Sequence, residues 1–349
     1  MAQDGDTILI HEGVYRGQFS ITKAVTIDAF QGGNVVIESP DTADLQAVNP
    51  TELTNNGRWR MPVINVDTNG SAGTVIIKNI TIDGRDQAVM DLNNGSGDFV
   101  GIGIVDSNVV VDGVTIKNIR SSDTDMWGES ENYGILAEAG SGLGTQVSVT
   151  VTNSDIYNYQ KTGIVGWGPN LDITITDNDI TGTGVDGTCG QNGIQIGSSN
   201  ADRSGTTATI TGNTISDLGF ENNVYGATGI ILRQTGDVTV SDNTISGTVD
   251  GSGNCAGVTV YQGLNGVTIT VEDNVFNNTD YAIFNEFQSS GVILNVNGND
   301  FSGSVLAILD SHGLPDTVWG NNTFGSSATS LTVNSSGTPM SGKLSYYLF

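Results

Sequence analysis

An asparagine recurs in a fixed frame along this chain: a β-branched strand, two or three polar residues, the asparagine, one spacer, then Ile or Phe. The frame reads ITITDNDITG at 173–182, ATITGNTIS at 208–216, VTVSDNTISG at 238–247, ITVEDNVFNN at 269–278, LNVNGNDFSG at 294–303 and TVWGNNTFGS at 317–326. Its asparagines are Asn178, Asn213, Asn243, Asn274, Asn299 and Asn322, separated by 35, 30, 31, 25 and 23 residues. A constant motif joined by connections of variable length is the signature of stacked coils. Earlier copies keep the apolar frame but carry Ile80, Val114 and Ser154 at the asparagine position, so the repeat extends toward the N-terminus.

A second column lies between these cassettes: FVGIGIVDS, NYGILAEAG, KTGIVGWGP, QNGIQIGSS, ATGIILRQT, CAGVTVYQG, DYAIFNEFQ and VLAILDSHG. Each copy places Gly or Ala before an aliphatic residue, so small residues stack on small and branched on branched. No helical apolar period separates the strands, which excludes a βαβ fold. The expectation is an all-β, right-handed parallel β-helix with two strands per coil, about ten coils and about 45 to 50 Å long. The asparagines form an internal ladder in which each side-chain amide bonds its equivalents above and below.

With 349 residues, 48 Gly and 6 Pro, the chain is expected to form one β-helix domain over 1–349. The opening MAQDGDTILIHEGVYRG reads as the tail of a capping helix followed by a first strand, which implies a fragment of a longer secreted protein. The net charge of −26, from 12 basic and 38 acidic residues, repels nucleic acid and anionic membranes. No apolar run approaches the length of a membrane span. Cys189 and Cys255 fall two coils apart, about 10 Å at one coil rise per strand spacing, which strains a disulfide unless their loops bend together.

The opening DGDTILIHEGVY and the NTIS and GI cassettes together resemble the secreted right-handed β-helix repeat proteins of the pectin-lyase-like superfamily. The resemblance covers nearly the whole chain and implies the fold, a secreted or cell-surface location and an extracellular polysaccharide partner. The superfamily also includes lyases, epimerases, hydrolases, tailspikes and adhesins, so fold does not select the activity. The DPHD tetrad of calcium-dependent mannuronan epimerases does not occur, the nearest string being LDSHGLPD at 309–316, and the NTD, DD and GHG set of polygalacturonase-like hydrolases is missing as a group.

Alternation in the Gly-Ile strands sends one column outward: Val105, Glu138, Trp167, Gly197, Arg233, Tyr261, Glu286 and Ser311. A neighbouring column includes Leu136, Gln195, Thr259 and Phe284. Aromatic and charged groups on a flat face suit sugar rings, which marks Glu138, Trp167, Gln195 and Phe284 as substrate-binding candidates. Arg233, Tyr261 and Glu286 fall on successive coils. There Arg233 would neutralise a uronate carboxylate, Tyr261 would act as base and Glu286 would orient Arg233. Glu138 and Glu286 are about 24 Å apart, too far for a glycosidase carboxylate pair.

Long connections at 121–132, 181–191, 217–227 and 247–255 leave one corner and form a wall beside this face. Trp127 and Tyr225 from this wall are further binding candidates. Asp123, Asp125, Glu129 and Glu131 are candidate Ca²⁺ ligands, although they lack EF-hand order. Lys161 and His312 are secondary candidates, and His11 is surface. Two functions follow: a polysaccharide lyase or C5-epimerase that abstracts the proton next to a uronate carboxylate, or a non-catalytic adhesin or glycan-binding spacer.

Overall fold

The computed structural model describes residues 2–48, 60–88, 97–123, 131–186, 189–220, 226–247, 255–261, 264–286, 292–310, 317–325 and 329–332. They wind into a parallel β-helix with three strands per coil, not two. A representative coil runs Val147–Thr152, Asp155–Tyr159 and Thr162–Trp167, and each strand pairs in parallel with its counterpart one coil on. The first strands form a sheet of eleven, from Thr7–Ile10 to Thr317–Gly320, while the second and third faces join into a sheet of nineteen. The additional strand follows each ladder asparagine. It buries side chains three apart, Ile116 with Ile119 and Ile156 with Tyr159, so it lacks the alternation by which a strand is read from sequence.

The asparagine ladder forms as the spacing requires. Asn178, Asn213, Asn243 and Asn274 each donate Nδ2–H to the Oδ1 of the next asparagine at 2.9 to 3.0 Å, and Asn299 reaches Asn322 at 3.1 Å. The same Oδ1 accepts the backbone N–H of the previous asparagine. Nδ2 also donates to the carbonyl two residues back and to a carbonyl of the preceding coil, as Asn243 does with Ser241 and Ile210. Ser154 heads the stack, taking the N–H of Val114 on its hydroxyl. This corner needs a left-handed residue just before the asparagine. Asp177, Asp242 and Asp273 hold φ between 54° and 56°, while Gly212 and Gly298 sit near 70°. Short polar side chains and glycine tolerate that region best.

Glycine in the third strand has a different cause. A Cβ on Gly134 would lie 2.5 Å from the carbonyl oxygen of Gly163 and 2.8 Å from Cγ2 of Ile156. Gly101, Gly163, Gly193 and Gly229 meet the same two kinds of atom. The isoleucine column of the second face therefore fills the space that the glycine column leaves. Further along, Phe276, Phe301 and Phe324 replace isoleucine, with ring centroids 5.5 Å apart. One apolar cluster runs from Ile21 to Ile308.

A second polar corner joins the second and third strands. The Gln160 Oε1 accepts from Asn132 Nδ2 at 2.8 Å and from the Ser121 N–H at 3.0 Å, while Gln191 Nε2 donates to the Tyr159 carbonyl. Residues 2–6 carry a turn closed by Gln3 and Asp6, where the tail of a helix was expected. Cys189 and Cys255 are buried on coils two apart, each thiol against a backbone carbonyl, and no disulfide joins them. Among the described residues no helix is long and apolar enough to cross a membrane.

Two stability measurements follow. Asn243→Leu removes the links to Asn213 and Asn274 and should lower stability by about 1 to 3 kcal/mol in denaturant titration; an unchanged midpoint would mean the ladder contributes nothing. Tyr159 is fully buried, and its hydroxyl has no hydrogen-bond partner among the described residues. Burial raises its pKa, since the phenolate would be desolvated. Tyr159→Phe should therefore stabilise by about 1 kcal/mol, read as a raised melting temperature.

Candidate functional site

The outer side of the third face carries the outward column in the expected register. Val105 pairs with Glu138 and Glu138 with Trp167; farther along, Arg233 pairs with Tyr261 and Tyr261 with Glu286. Gln195, Ile231, Thr259 and Phe284 form the adjoining column. Five strand steps separate Glu138 from Glu286, in keeping with their exclusion as a catalytic pair. The two halves of this face nonetheless have different environments.

In the N-terminal half the column is covered. Glu138 and Trp167 are each 3% exposed. Trp167 packs with Val100, Tyr133, Leu136 and Val165 in an apolar cluster outside the main core. The Arg203 guanidinium lies 4.3 Å from the indole centroid, Arg60 lies 5.6 Å away, and Tyr133 meets the ring edge-on at 5.7 Å. Arg60 pairs with the Asp98 carboxylate, and Arg60 and Arg203 approach Glu138 at 3.6 and 3.9 Å. Burial lowers the Arg203 pKa; the nearby Arg60 adds to this and Glu138 opposes it. The cleft beside Arg60, Asn65, Gly103 and Glu138 leaves about 20 Å³ for the centre of a water-sized molecule. That holds a water, not a sugar ring. The open stacking platform expected at Trp167 and Glu138 is thus corrected to a closed one, because two arginines from other segments cover it.

In the C-terminal half the column is less covered by the described residues. Arg233 and Tyr261 are half-buried, with the guanidinium 4.5 Å from the phenol ring centroid. The cation therefore stacks on the ring face. Arg233 Nε is buried without a hydrogen-bond partner, and among the described residues no carboxylate pairs with this guanidinium. Gln195 and Phe284 are half-buried, Thr259 is buried, and Phe284 lies 6.1 Å from the ring of Tyr281. The Tyr281 pKa is raised by burial first and by Asp280 second. The backbone of Glu286 is in register beside Tyr261, but its side chain lies outside the described residues.

Trp127, Tyr225, Asp125, Glu129 and His312 lie outside the described residues. Asp123 is exposed, and Glu131 accepts the Tyr133 hydroxyl at 2.5 Å. Among the described residues no three His, Cys, Asp or Glu side chains group to hold a metal. The Lys161 amine donates to the Gly190 carbonyl at 2.7 Å, so it tethers a turn. His11 is exposed and packs on Phe30. Sequence reasoning missed Arg60, Asp98 and Arg203, which lie outside the recurring cassettes. The one signal for the two arginines is the rarity of basic residues in this chain.

Glu138→Ala should leave Arg60 and Arg203 buried with one fewer counter-charge. Denaturant unfolding should show a loss of about 3 to 5 kcal/mol, and less for Glu138→Gln; a loss below 1 kcal/mol would mean solvent reaches the cluster.

No curated protein matches the chain in sequence. In structure it is similar to the periplasmic alginate epimerase AlgG, with a TM-score of 0.50 and 14% identity over 91% of this chain and 76% of that one. It is also similar to the Azotobacter vinelandii mannuronan C-5 epimerase AlgE6 A-module, at 0.49 and 16% over 95% and 91%, and to an alginate lyase from Paenibacillus sp. str. FPU-7, at 0.47 and 13% over 95% and 92%. A family model described as right handed beta helix region matches residues 133–329, more than half of the chain. With the ladder, the three-faced coils and this match in hand, the chain belongs to the right-handed β-helix family.

Proposed function

We propose that the protein processes an extracellular or periplasmic polysaccharide containing uronate residues, by lyase or C5-epimerase chemistry, on the C-terminal half of the third face. The observation that carries this reading is Arg233: a half-buried cation stacked on Tyr261 with no carboxylate partner among the described residues. In a chain of net charge −26 such a cation is a natural place for an anionic substrate group. An alginate epimerase has the same fold, which supports the substrate class.

Arg233 would take the uronate carboxylate through its guanidinium N–H groups and stabilise the charge that builds when the neighbouring C5 proton leaves. Tyr261, on the next strand, would exchange that proton, and Glu286 on the strand after would orient the cation. Return of a proton from the opposite side gives the C5 epimer. Expulsion of the glycosidic oxygen instead gives a 4,5-unsaturated end. Gln195 and Phe284 would contact neighbouring sugars, with Tyr225 and Trp127 from the wall loops as further contacts. Ca²⁺ at Asp123, Asp125, Glu129 and Glu131 would screen the acidic field against a polyanion.

A second reading, a glycan-binding adhesin or spacer, is favoured by the closed Glu138 and Trp167 cluster, which gives half of the column to structure. The experiment is a uronate polysaccharide panel, with and without calcium, read by unsaturated-uronate absorbance and by C5 configuration. Arg233→Ala and Tyr261→Phe should each reduce turnover at least about a hundredfold, in the range typical of a lost acid/base group, with the melting temperature kept. Full activity in the double variant overturns the assignment. Binding without turnover in the parent protein selects the adhesin.

A further inference from the structure

The outer side of the first face is unlike the other two. Thr150, Thr174, Thr209, Thr239 and Thr270 stand in one column, paired strand to strand over five coils. Two residues along, Thr152, Thr176, Thr211 and Ser241 form a second column in the same register, which ends at Glu272. Between the columns Val151, Ile175, Ile210 and Val240 point into the core with no exposure. Nine consecutive lattice positions therefore carry hydroxyls and none a charge, on a chain with 50 charged residues. All nine are partly or fully exposed.

The lattice is stiff. Threonine is restricted at χ1, its backbone is held by ladders on both sides, and Ser241 Oγ donates to Thr211 Oγ1 at 3.1 Å. Its repeat is about 4.8 Å across strands and about 6.6 Å along them, two residues of rise. This surface suits few partners. It has no aromatic platform or concavity for a soluble sugar, no aromatic or Arg anchor for a protein, and no cation for a polyanion. The two columns form an uncharged grid of hydroxyls and methyls, bordered on one side by the exposed carboxylates of Asp172 and Asp237. Such a grid suits a solid with a comparable two-dimensional repeat, and the oxygen lattice of hexagonal ice has spacings of this order in two perpendicular directions.

We propose that this face adsorbs to ice, the threonine methyls and hydroxyls ordering water in the lattice repeat. The surface is separate from Arg233 and Tyr261, so the two proposals stand or fall independently. The test is adsorption of the labelled full chain to a single-crystal ice hemisphere, together with inhibition of ice recrystallisation. Thr174→Lys and Thr209→Lys, outward on central strands, should weaken inhibition by about tenfold or more while keeping the parent melting temperature. Thr214→Lys, exposed on the second face, should change nothing. Exclusion of the parent protein from growing ice overturns the proposal, as does equal adsorption by the folded lysine variants. Parent binding to crystalline cellulose or chitin but not to ice, lost in the same variants, would also overturn it and assign the face to a crystalline glycan.

Discussion

The constraint on which the rest of this structure depends is the one-coil rise imposed by parallel backbone pairing. Every turn of the chain must climb by one strand spacing, about 4.8 Å, so each position meets the same position of the next coil. A polar residue at an inner corner must then be satisfied by its own copy. Asparagine does this because its amide offers donor and acceptor at opposite ends. The Oδ1 of Asn274, for example, takes both the N–H and the Nδ2–H of Asn243. Ladder bonds of this kind keep a polar column inside an apolar solenoid without orphaned groups, and they fix the register that every outer side chain inherits.

The same rise explains the pairing of glycine with isoleucine. In the third strand the backbone passes so close to the next coil that a methyl at Gly134 or Gly163 would strike both a carbonyl and the isoleucine of the second face. Interior composition is therefore narrowly set, coil after coil. Exterior composition is not, because outward residues meet solvent or loops. Chemistry can accumulate there without disturbing the core, and the three outer faces have diverged: a threonine grid on the first, short polar strands on the second, and arginine–aromatic stacks on the third.

What the sequence made legible follows that division. The asparagine column, the glycine column and the register of Arg233 with Tyr261 were all readable, since each recurs at a fixed offset within its cassette. The three-strand coil was not, because the second strand of each coil buries side chains three apart, as Ile156 and Tyr159, and so lacks a period of two. The second polar corner was not legible either, since its members Ser121, Asn132, Gln160 and Gln191 recur neither at one offset nor as one residue type. Alternation said correctly that Glu138 and Trp167 leave the core. It could not say that Arg60 and Arg203 would cover them, because those contacts link segments with no common motif.

Three of the twelve basic residues, Arg60, Arg203 and Arg233, stand on the outer side of one face, all three over aromatic rings. Taking a guanidinium out of water is costly unless charge or ring electrons replace the lost hydration. Arg60 and Arg203 receive both, from Asp98 and Glu138 and from Trp167, and so form a closed, internally balanced unit that resists an incoming anion. Arg233 receives only the ring of Tyr261 among the described residues. Among the described residues no carboxylate balances its positive charge, and a bound carboxylate would complete there what Asp98 and Glu138 complete for the other two. One stacking motif thus serves two ends, and the presence of a built-in carboxylate decides whether it closes the solenoid or leaves a place for substrate.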